Sequence, residues 1–206
     1  MQPEAPPLYP AFLKLAGLPV VVVGGGPIAA SKLAGLVDAG ARITVIAPAI
    51  CEAIRGNAAV TRIERGFVPG DLDGARWVVA AATPEVNREV AAAADARGLF
   101  VNAVDDVASA SAYLGAVIRR GPAVVAISTG GLAPALAGLI REALEALLPD
   151  DLERWIDVAI AARTDWKRAG VAMAERRPLL LRALDRVYGR ASGHADVGHL
   201  PFGAVP

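Results

Sequence analysis

The sequence has little cysteine or histidine and no excess of charge of either sign. Its one cysteine, Cys51, allows neither an internal disulfide bond nor a CxxC metal knuckle. Both histidines, His194 and His199, lie near the end of the chain, so we expect no metal ligand in the folded part. The 21 basic and 21 acidic side chains cancel, which argues against a nucleic-acid partner.

The sequence also lacks a credible membrane-spanning helix. Residues 15–31 and 121–140 carry no charge, but both runs contain prolines and several glycines that would break a spanning helix. The first four residues, MQPE, lack the basic region of a secretory signal. We therefore expect a cytoplasmic protein with no membrane partner.

Strand-like and helix-like segments alternate over about the first half of the 206-residue chain. Apolar β-branched runs such as LPVVVV at residues 18–23 suit a parallel sheet, because both faces of its central strands are buried. The first helical segment starts at Pro27 and ends before Gly40. This alternation predicts the α/β class, with a Rossmann-like doubly wound parallel sheet. The predicted strands cover residues 18–23, 42–47, 59–63, 77–82 and 99–104, and a further helix covers residues 85–96.

The pattern changes after Asp106. Two strand-like runs, residues 112–118 and 123–128, flank the connection Arg119-Arg120-Gly121-Pro122, which is typical of a hairpin. Helical periodicity follows in residues 134–148, 152–168 and 175–188. The predicted order is a Rossmann domain (residues 1–112), a small α+β dimerisation module (113–149), a helical C-terminal domain (150–189) and a mobile tail (190–206).

A glycine-rich turn gives the strongest local signal for function. Gly24, Gly26 and Ala29 form the pattern G-x-G-x-x-A directly after a strand and at the start of a helix. The glycines permit a tight turn and a close approach of pyrophosphate, Ala29 allows the helix to pack on the strand, and the helix N-terminus offers free N–H groups. The pattern favours dinucleotide binding, with a purely structural glycine turn as the alternative.

The fingerprint lacks the acid that usually binds the ribose hydroxyls. The second strand ends Ile46-Ala47-Pro48, where a carboxylate is expected. Arg42 lies at the other end of that strand and is not interpreted as a ligand of a 2′-phosphate. The choice between NAD and NADP therefore stays open from these residues.

Further candidates follow the later strands, because an open parallel sheet binds its ligands at the carboxyl ends of its strands. Ala81, Ala82 and Thr83 lie at the end of one strand, and the small side chains at 81 and 82 leave room for a cofactor. Asn102 lies near the end of the next strand along the chain, next to the same crevice. Asp105 is the carboxylate that this placement offers as an acid or base. Its alternative role is an Asx turn or helix cap, and Asp106 competes for either role.

A second anion site is indicated where a strand runs into the helix near Pro134. Ser128, Thr129, Gly130 and Gly131 present hydroxyls and free N–H groups at a helix start. An ordinary capped helix explains the same residues equally well.

Taken together, residues 8–188 resemble the precorrin-2 dehydrogenase / sirohydrochlorin ferrochelatase module of siroheme synthase. The similarity lies in the order and spacing of short motifs, none of which is decisive alone. They are VVGGGxIAxxK from residue 22, AGA at 39 with TV at 44, AAT at 81, Asn87, FVNxVD from residue 100, STGGxxP from 128, LIRE at 139 and ERR at 175. The sequence departs from the family at Asp106, at Thr129 and in the short loop of residues 83–87.

The resemblance implies a homodimer that uses NAD to oxidise precorrin-2 to sirohydrochlorin, in many members followed by insertion of ferrous iron. Asp105 matches the catalytic aspartate of the family, and the loop of residues 128–131 matches its tetrapyrrole cleft. Pro27, Ile28, Pro48 and Ala49 match positions that contact the dinucleotide. We expect no uroporphyrinogen methyltransferase domain in this chain. The alternative function is a non-catalytic dinucleotide or tetrapyrrole carrier, or a redox sensor.

Overall fold

The computed structural model describes residues 7–104 and 106–191, with side chains up to residue 186. The described residues form two compact units. The first contains the chain up to Gly115 together with Ser128–Ala137, and the second contains Ala116–Ile127 and the chain from Gly138 onward.

A five-stranded parallel sheet forms the centre of the first unit. Its order is β3-β2-β1-β4-β5, so the chain moves outward from β1 in one direction and then returns to the other side of β1. This arrangement confirms the predicted Rossmann-like doubly wound fold. The strands are β1 (Pro19–Val23), β2 (Arg42–Ile46), β3 (Val60–Ile63), β4 (Trp77–Ala80) and β5 (Val101–Ala103).

Apolar layers cover both faces of this sheet. Val20 and Val22 of β1 pack with Leu33 of helix α1 (Pro27–Asp38), while the alternate β1 residues join a second cluster. That second cluster contains Val90 of helix α3 (Pro84–Asp95). Burial on both faces explains why β1 has four consecutive valines, because each of these four side chains lies in a core.

Two short elements of the first unit were not predicted from the sequence. They are the one-turn helix α2 (Glu52–Arg55) and a 3-10 turn (Pro69–Leu72). Segments of four residues are too short to show helical periodicity, which needs a window of about 11 residues or more. Cys51 precedes α2 and packs against the core around α1, as expected for a small apolar residue.

The second unit begins with an antiparallel hairpin of β6 (Ala116–Arg120) and β7 (Ala123–Ile127). The predicted start at residue 112 and the predicted connection at 119–122 are therefore wrong. Arg119 and Arg120 pair with Val124 and Ala123, and only two residues form the turn. Ala112 lies outside the hairpin because its N–H donates to the carbonyl of Val101.

The helices after the hairpin lie close to their predicted positions. They are α4 (Pro134–Leu147), which starts in the first unit, α5 (Leu152–Arg168) and α6 (Met173–Ala191). Helix α6 ends at Ala191, and residues 192–206, most of the predicted tail, lie outside the described residues. No helix in the described part of the chain combines the length and apolar character needed to cross a membrane.

Candidate functional site

The candidate site lies at the carboxyl edge of the sheet, where β1 ends between β2 and β4. The Gly24 N–H donates to the carbonyl of Ile46 (2.9 Å), and the Ala81 N–H donates to the carbonyl of Val23 (2.8 Å). These bonds hold together the loops that leave the three strands. The chain reverses its direction of travel across the sheet here, and open α/β sheets bind ligands at such a point.

Gly24 and Gly25 make this arrangement possible because neighbouring backbones occupy the space of their missing side chains. Gly24 has φ +129°, and a Cβ atom there would lie 2.2 Å from the carbonyl oxygen of Ala81. A Cβ atom on Gly25 would lie 2.0 Å from the carbonyl oxygen of Ala49. The Gly25 carbonyl also accepts a hydrogen bond from the Cys51 N–H (2.8 Å). The sequence pattern treated Gly25 as a variable position, although the structure requires glycine there.

Gly26 differs from its two neighbours because it borders open space. It precedes α1 in an extended conformation, and a Cβ atom on it would meet no atom within 4 Å. The first N–H groups of a helix have no partner within the helix, and those of α1 begin at Ile28 because Pro27 has no N–H. Free N–H groups beside an open, side-chain-free space are what a pyrophosphate group needs. The residues present therefore fit a dinucleotide.

The six other predicted cofactor contacts, two of them at variable positions of the fingerprint, all lie at the rim of this edge. Each is exposed, and each lies within three residues of the end of β2 or β4 or in the first turn of α1. They are Pro27, Ile28, Pro48, Ala49, Ala82 and Thr83. Ala29, by contrast, is completely buried among the residues that pack α1 on the sheet. Ala29 therefore supports the position of the helix rather than offering a contact surface.

Asn87 connects two loops of this edge and was not among the predicted site residues. It is only 3% exposed, and its Oδ1 accepts a hydrogen bond from the Ala82 N–H (2.9 Å). Its Nδ2 donates to the carbonyl of Val104 (3.4 Å). One side chain thus fixes both the loop after β4 and the loop after β5. Asn87 entered the sequence analysis only as one of the positions shared with the family, without a role assigned to it.

Asp105, the predicted catalytic residue, lies outside the described residues. Its neighbour Asp106 accepts a hydrogen bond from the Ser109 N–H (3.1 Å) in an Asx-type turn. The Ser109 hydroxyl and N–H lower the pKa of Asp106, because both hydrogen bonds favour its charged form. Asp106 therefore takes the turn-forming role that the sequence left open between the two aspartates.

Asn102 is buried, and its amide nitrogen donates to the carbonyl of Ala112 (3.0 Å). This bond fastens the chain after β5 back onto the strand. The placement of Asn102 beside substrate remains a prediction.

The loop of residues 128–131 lies against the segment that follows Asp105. A Cβ atom on Gly131, which has φ +78°, would lie 3.1 Å from Val107 and 3.2 Å from Tyr113. The Ser128 and Thr129 hydroxyls accept hydrogen bonds from the N–H groups of Gly130 and Ala133, each at 3.2 Å. These bonds fix the turn that leads into α4, and both donors lie before the first residue of the helix.

Metal-ligating side chains do not gather in the described part of the chain. There, no group of three or more histidine, cysteine, aspartate or glutamate residues could hold a metal ion.

Comparison with protein families gives two matches that together span most of the chain. A family described as putative NAD(P)-binding matches residues 11–116. A family described as sirohaem biosynthesis protein central matches residues 120–147. The first match covers the parallel sheet and the glycine turn, and the second covers β7, the whole of α4 and the loop between them.

Individual relatives agree with the family matches. The chain is 41% identical to siroheme synthase 1 of Aeromonas salmonicida over 91% of this chain, and to the siroheme synthase of Photorhabdus laumondii over 82%. It spans about two fifths of the length of these relatives, 41% and 37% respectively. Among solved structures, SirC, a precorrin-2 dehydrogenase, is similar with a TM-score of 0.67 and 26% identity. This likeness covers 90% of this chain and 94% of that one.

Replacing Asn87 with alanine is expected to destabilise the first unit. The part-buried hydrogen bond from the Ala82 N–H would lose its acceptor, which costs about 0.5–1.5 kcal/mol of the free energy of unfolding. Urea denaturation of Asn87→Ala and wild type measures this difference. Arg88→Ala, a neighbouring change on the exposed side of α3, is the control and should lower stability far less. Equal losses in the two variants would contradict the assigned role of Asn87.

Proposed function

Because the chain belongs to the putative NAD(P)-binding family and is a homologue of siroheme synthases, we propose that it is an NAD-dependent dehydrogenase that oxidises precorrin-2 to sirohydrochlorin. The likeness to a precorrin-2 dehydrogenase over nearly the full length of both chains supports this choice of substrate. The proposal places the reaction in siroheme biosynthesis, and we expect the protein to act in the cytoplasm.

The observation that carries the proposal is the open space at Gly26 beside the N-terminus of α1. When bound, NAD supplies the acceptor of a hydride ion. Gly24 and Gly26 provide the turn that receives the pyrophosphate, and Ala29 holds α1 against the sheet so that its N–H groups face the anion. Pro48 and Ala49 contact the adenosine side, whereas Ala82 and Thr83 border the nicotinamide side.

Asp105 has the catalytic role in this proposal. Oxidation of the macrocycle removes two hydrogens, one as a hydride that passes to NAD and one as a proton. The Asp105 carboxylate accepts that proton, which is a common role for a carboxylate at the edge of a cofactor crevice. The match of Asp105 to the family's aspartate supports this assignment. Asp106 is not suited to the role, since its carboxylate already accepts hydrogen bonds from Ser109.

The tetrapyrrole lies against the loop of Ser128, Thr129, Gly130 and Gly131, with Asn102 near the same crevice. The loop packs on Val107, two residues beyond Asp105 along the chain, and this proximity supports a substrate position beside the catalytic carboxylate. The Ser128 and Thr129 hydroxyls each accept a backbone hydrogen bond and keep their O–H groups as donors towards the substrate.

Insertion of ferrous iron is a second proposed activity, supported by the siroheme synthase relatives. The four nitrogens of the macrocycle hold the incoming iron, so the protein needs only to orient the ring and remove its protons. The alternative is a non-catalytic carrier or redox sensor. Anaerobic incubation with precorrin-2 and NAD distinguishes them, because only the dehydrogenase reduces NAD as sirohydrochlorin forms.

A homodimer completes the proposal. The exposed apolar residues of α4 recur at helical spacing on one face, and they are Leu136, Leu139, Ile140, Leu144 and Leu147. Among the described hairpin residues Ile118 is buried, while Val117 is 38% exposed. Apolar faces of this kind are usually covered by another protein surface. A second copy of this chain, contributing its own hairpin and α4, provides such a surface.

Replacing Gly26 with valine is expected to weaken NAD binding at least about tenfold without unfolding the protein, because the new side chain fills the space for pyrophosphate. Calorimetric titration with NAD and a thermal melt measure the two effects. Gly25→Ala should instead lower the free energy of unfolding by about 1–3 kcal/mol, since its Cβ atom strikes Ala49. Wild-type NAD affinity in Gly26→Val would show that the dinucleotide lies elsewhere.

Replacing Asp105 with alanine is expected to lower the dehydrogenase rate about 100-fold or more while NAD binding is kept, because a general base contributes on this scale. Asp106→Ala is the matched control and should be much milder. Both rates are measured anaerobically with precorrin-2. Equal rates in Asp105→Ala and wild type would remove Asp105 from the mechanism, whereas loss of iron insertion alone would assign it to chelation.

Sedimentation velocity is expected to show a dimer at micromolar concentration. Leu139→Glu places a charge on the apolar face of α4 and should shift the protein towards monomer. Ile160→Glu, an equally exposed apolar position on α5, is the control and should leave the dimer intact. A monomeric wild type with cofactor and substrate present would contradict the proposed assembly.

A further inference from the structure

The loop after β2 holds an ion pair that the proposed function does not use. The Arg55 Nη2 atom lies 2.9 Å from Glu64 Oε2, and both side chains are nearly half exposed. Arg55 is the last residue of α2, and Glu64 directly follows β3. The pair therefore lies at the carboxyl ends of β2 and β3, on the side of the sheet where a Rossmann fold receives the adenosine of a dinucleotide.

The position of Arg55 is fixed by more than its partner carboxylate. Its Nε donates to the carbonyl of Ile50 (3.1 Å), in the loop whose residue Ala49 touches Gly25. Its own carbonyl accepts a hydrogen bond from Arg62. Arg55 is thus hydrogen-bonded to the loop beside the pyrophosphate turn. Loss of the exposed Glu64 carboxylate would therefore change the charge around the Arg55 guanidinium more than the position of Arg55.

NAD and NADP differ by one phosphate on the 2′-oxygen of the adenosine ribose. Enzymes that prefer NAD commonly place an acid at the end of β2, and those that prefer NADP place an arginine nearby. This chain has Ala47, Pro48 and Ala49 where the acid is expected. Arg55 alone would favour the 2′-phosphate, because a guanidinium pairs well with phosphate oxygens. Glu64 neutralises that guanidinium and repels the phosphate.

The other arginines around the pair are bound to other groups, so Glu64 is the side chain that determines whether the Arg55 guanidinium is free to bind a phosphate. Arg65 is held by both carboxylate oxygens of Asp71. Arg62 donates to the carbonyl at the end of α2. Glu52, at the start of α2, is exposed and lies three residues before Arg55 on the same helix, so it enters the test as the rival group.

We propose that the Arg55–Glu64 ion pair sets the preference for NAD over NADP, with Glu64 replacing the missing ribose acid as the group that rejects the 2′-phosphate. This inference rests on the proposed function, since it assumes a dinucleotide at the Gly24–Gly26 turn. It adds a specificity-determining pair outside the glycine fingerprint.

Calorimetric titrations with NAD and with NADP at one fixed ionic strength test the proposal, and the readout is the ratio of the two dissociation constants. Glu64→Gln should tighten NADP binding at least about tenfold and change NAD binding less than about threefold, because it removes a repulsion and releases a guanidinium. Adding Arg55→Ala to Glu64→Gln should abolish most of the gain. Asp73→Asn is the matched control, because it removes the carboxylate of another arginine pair, with Arg97, at the amino ends of the strands.

The outcomes separate this inference from the proposed function. If wild type binds NAD but Glu64→Gln leaves the ratio unchanged, the inference is wrong and the proposed function stands. A shift of the ratio in Glu52→Gln but not in Glu64→Gln, or an equal shift in Asp73→Asn, would also overturn it. If wild type binds neither dinucleotide, the proposed function fails and the inference fails with it.

Discussion

The close approach of backbone segments at Gly24 and Gly25 is the constraint on which the candidate site depends. Carbonyl oxygens of Ala81 and Ala49 occupy the places that side chains of these two residues would take. The loops after β1, β2 and β4 can therefore meet at one edge of the sheet. Their meeting places the start of α1 beside an open space at Gly26, and the exposed rim residues surround that edge as a result.

Much of the first unit could be predicted from local patterns because its strands are buried on both faces. Four consecutive valines are typical of a central strand, which is where β1 lies. The glycine turn with Pro27 marks both the end of that strand and the start of the helix. The strand prediction for residues 112–115 is wrong because long-range hydrogen bonds, which no local pattern shows, decide where this segment lies. Its apolar residues fit a strand, but hydrogen bonds to Val101 and Asn102 hold Ala112 outside the hairpin.

The parts of the site that escaped prediction depend on contacts between residues distant in sequence. The need for glycine at position 25 comes from Ala49, 24 residues later, so no local motif contains it. Asn87 acts through Ala82 and Val104, which belong to loops after two different strands. The pairing of Arg55 with Glu64 likewise requires β2 and β3 to be side by side. Composition and spacing describe single segments, whereas these roles exist only after the sheet has formed.

The unequal burial of the two units implies that local opening costs a different free energy in each of them. The described first unit has an apolar layer on each face of its sheet, whereas the described second unit has few deeply buried side chains, among them Ile118 and Leu184. Local opening costs less free energy where few apolar groups are buried. In the isolated chain, backbone amides of the hairpin and of α5 should therefore exchange with deuterium well before those of β1 and β4. A second copy of the chain that covers α4 would slow this exchange. Because dimers form more readily at higher protein concentration, the stability of the second unit would then rise with concentration.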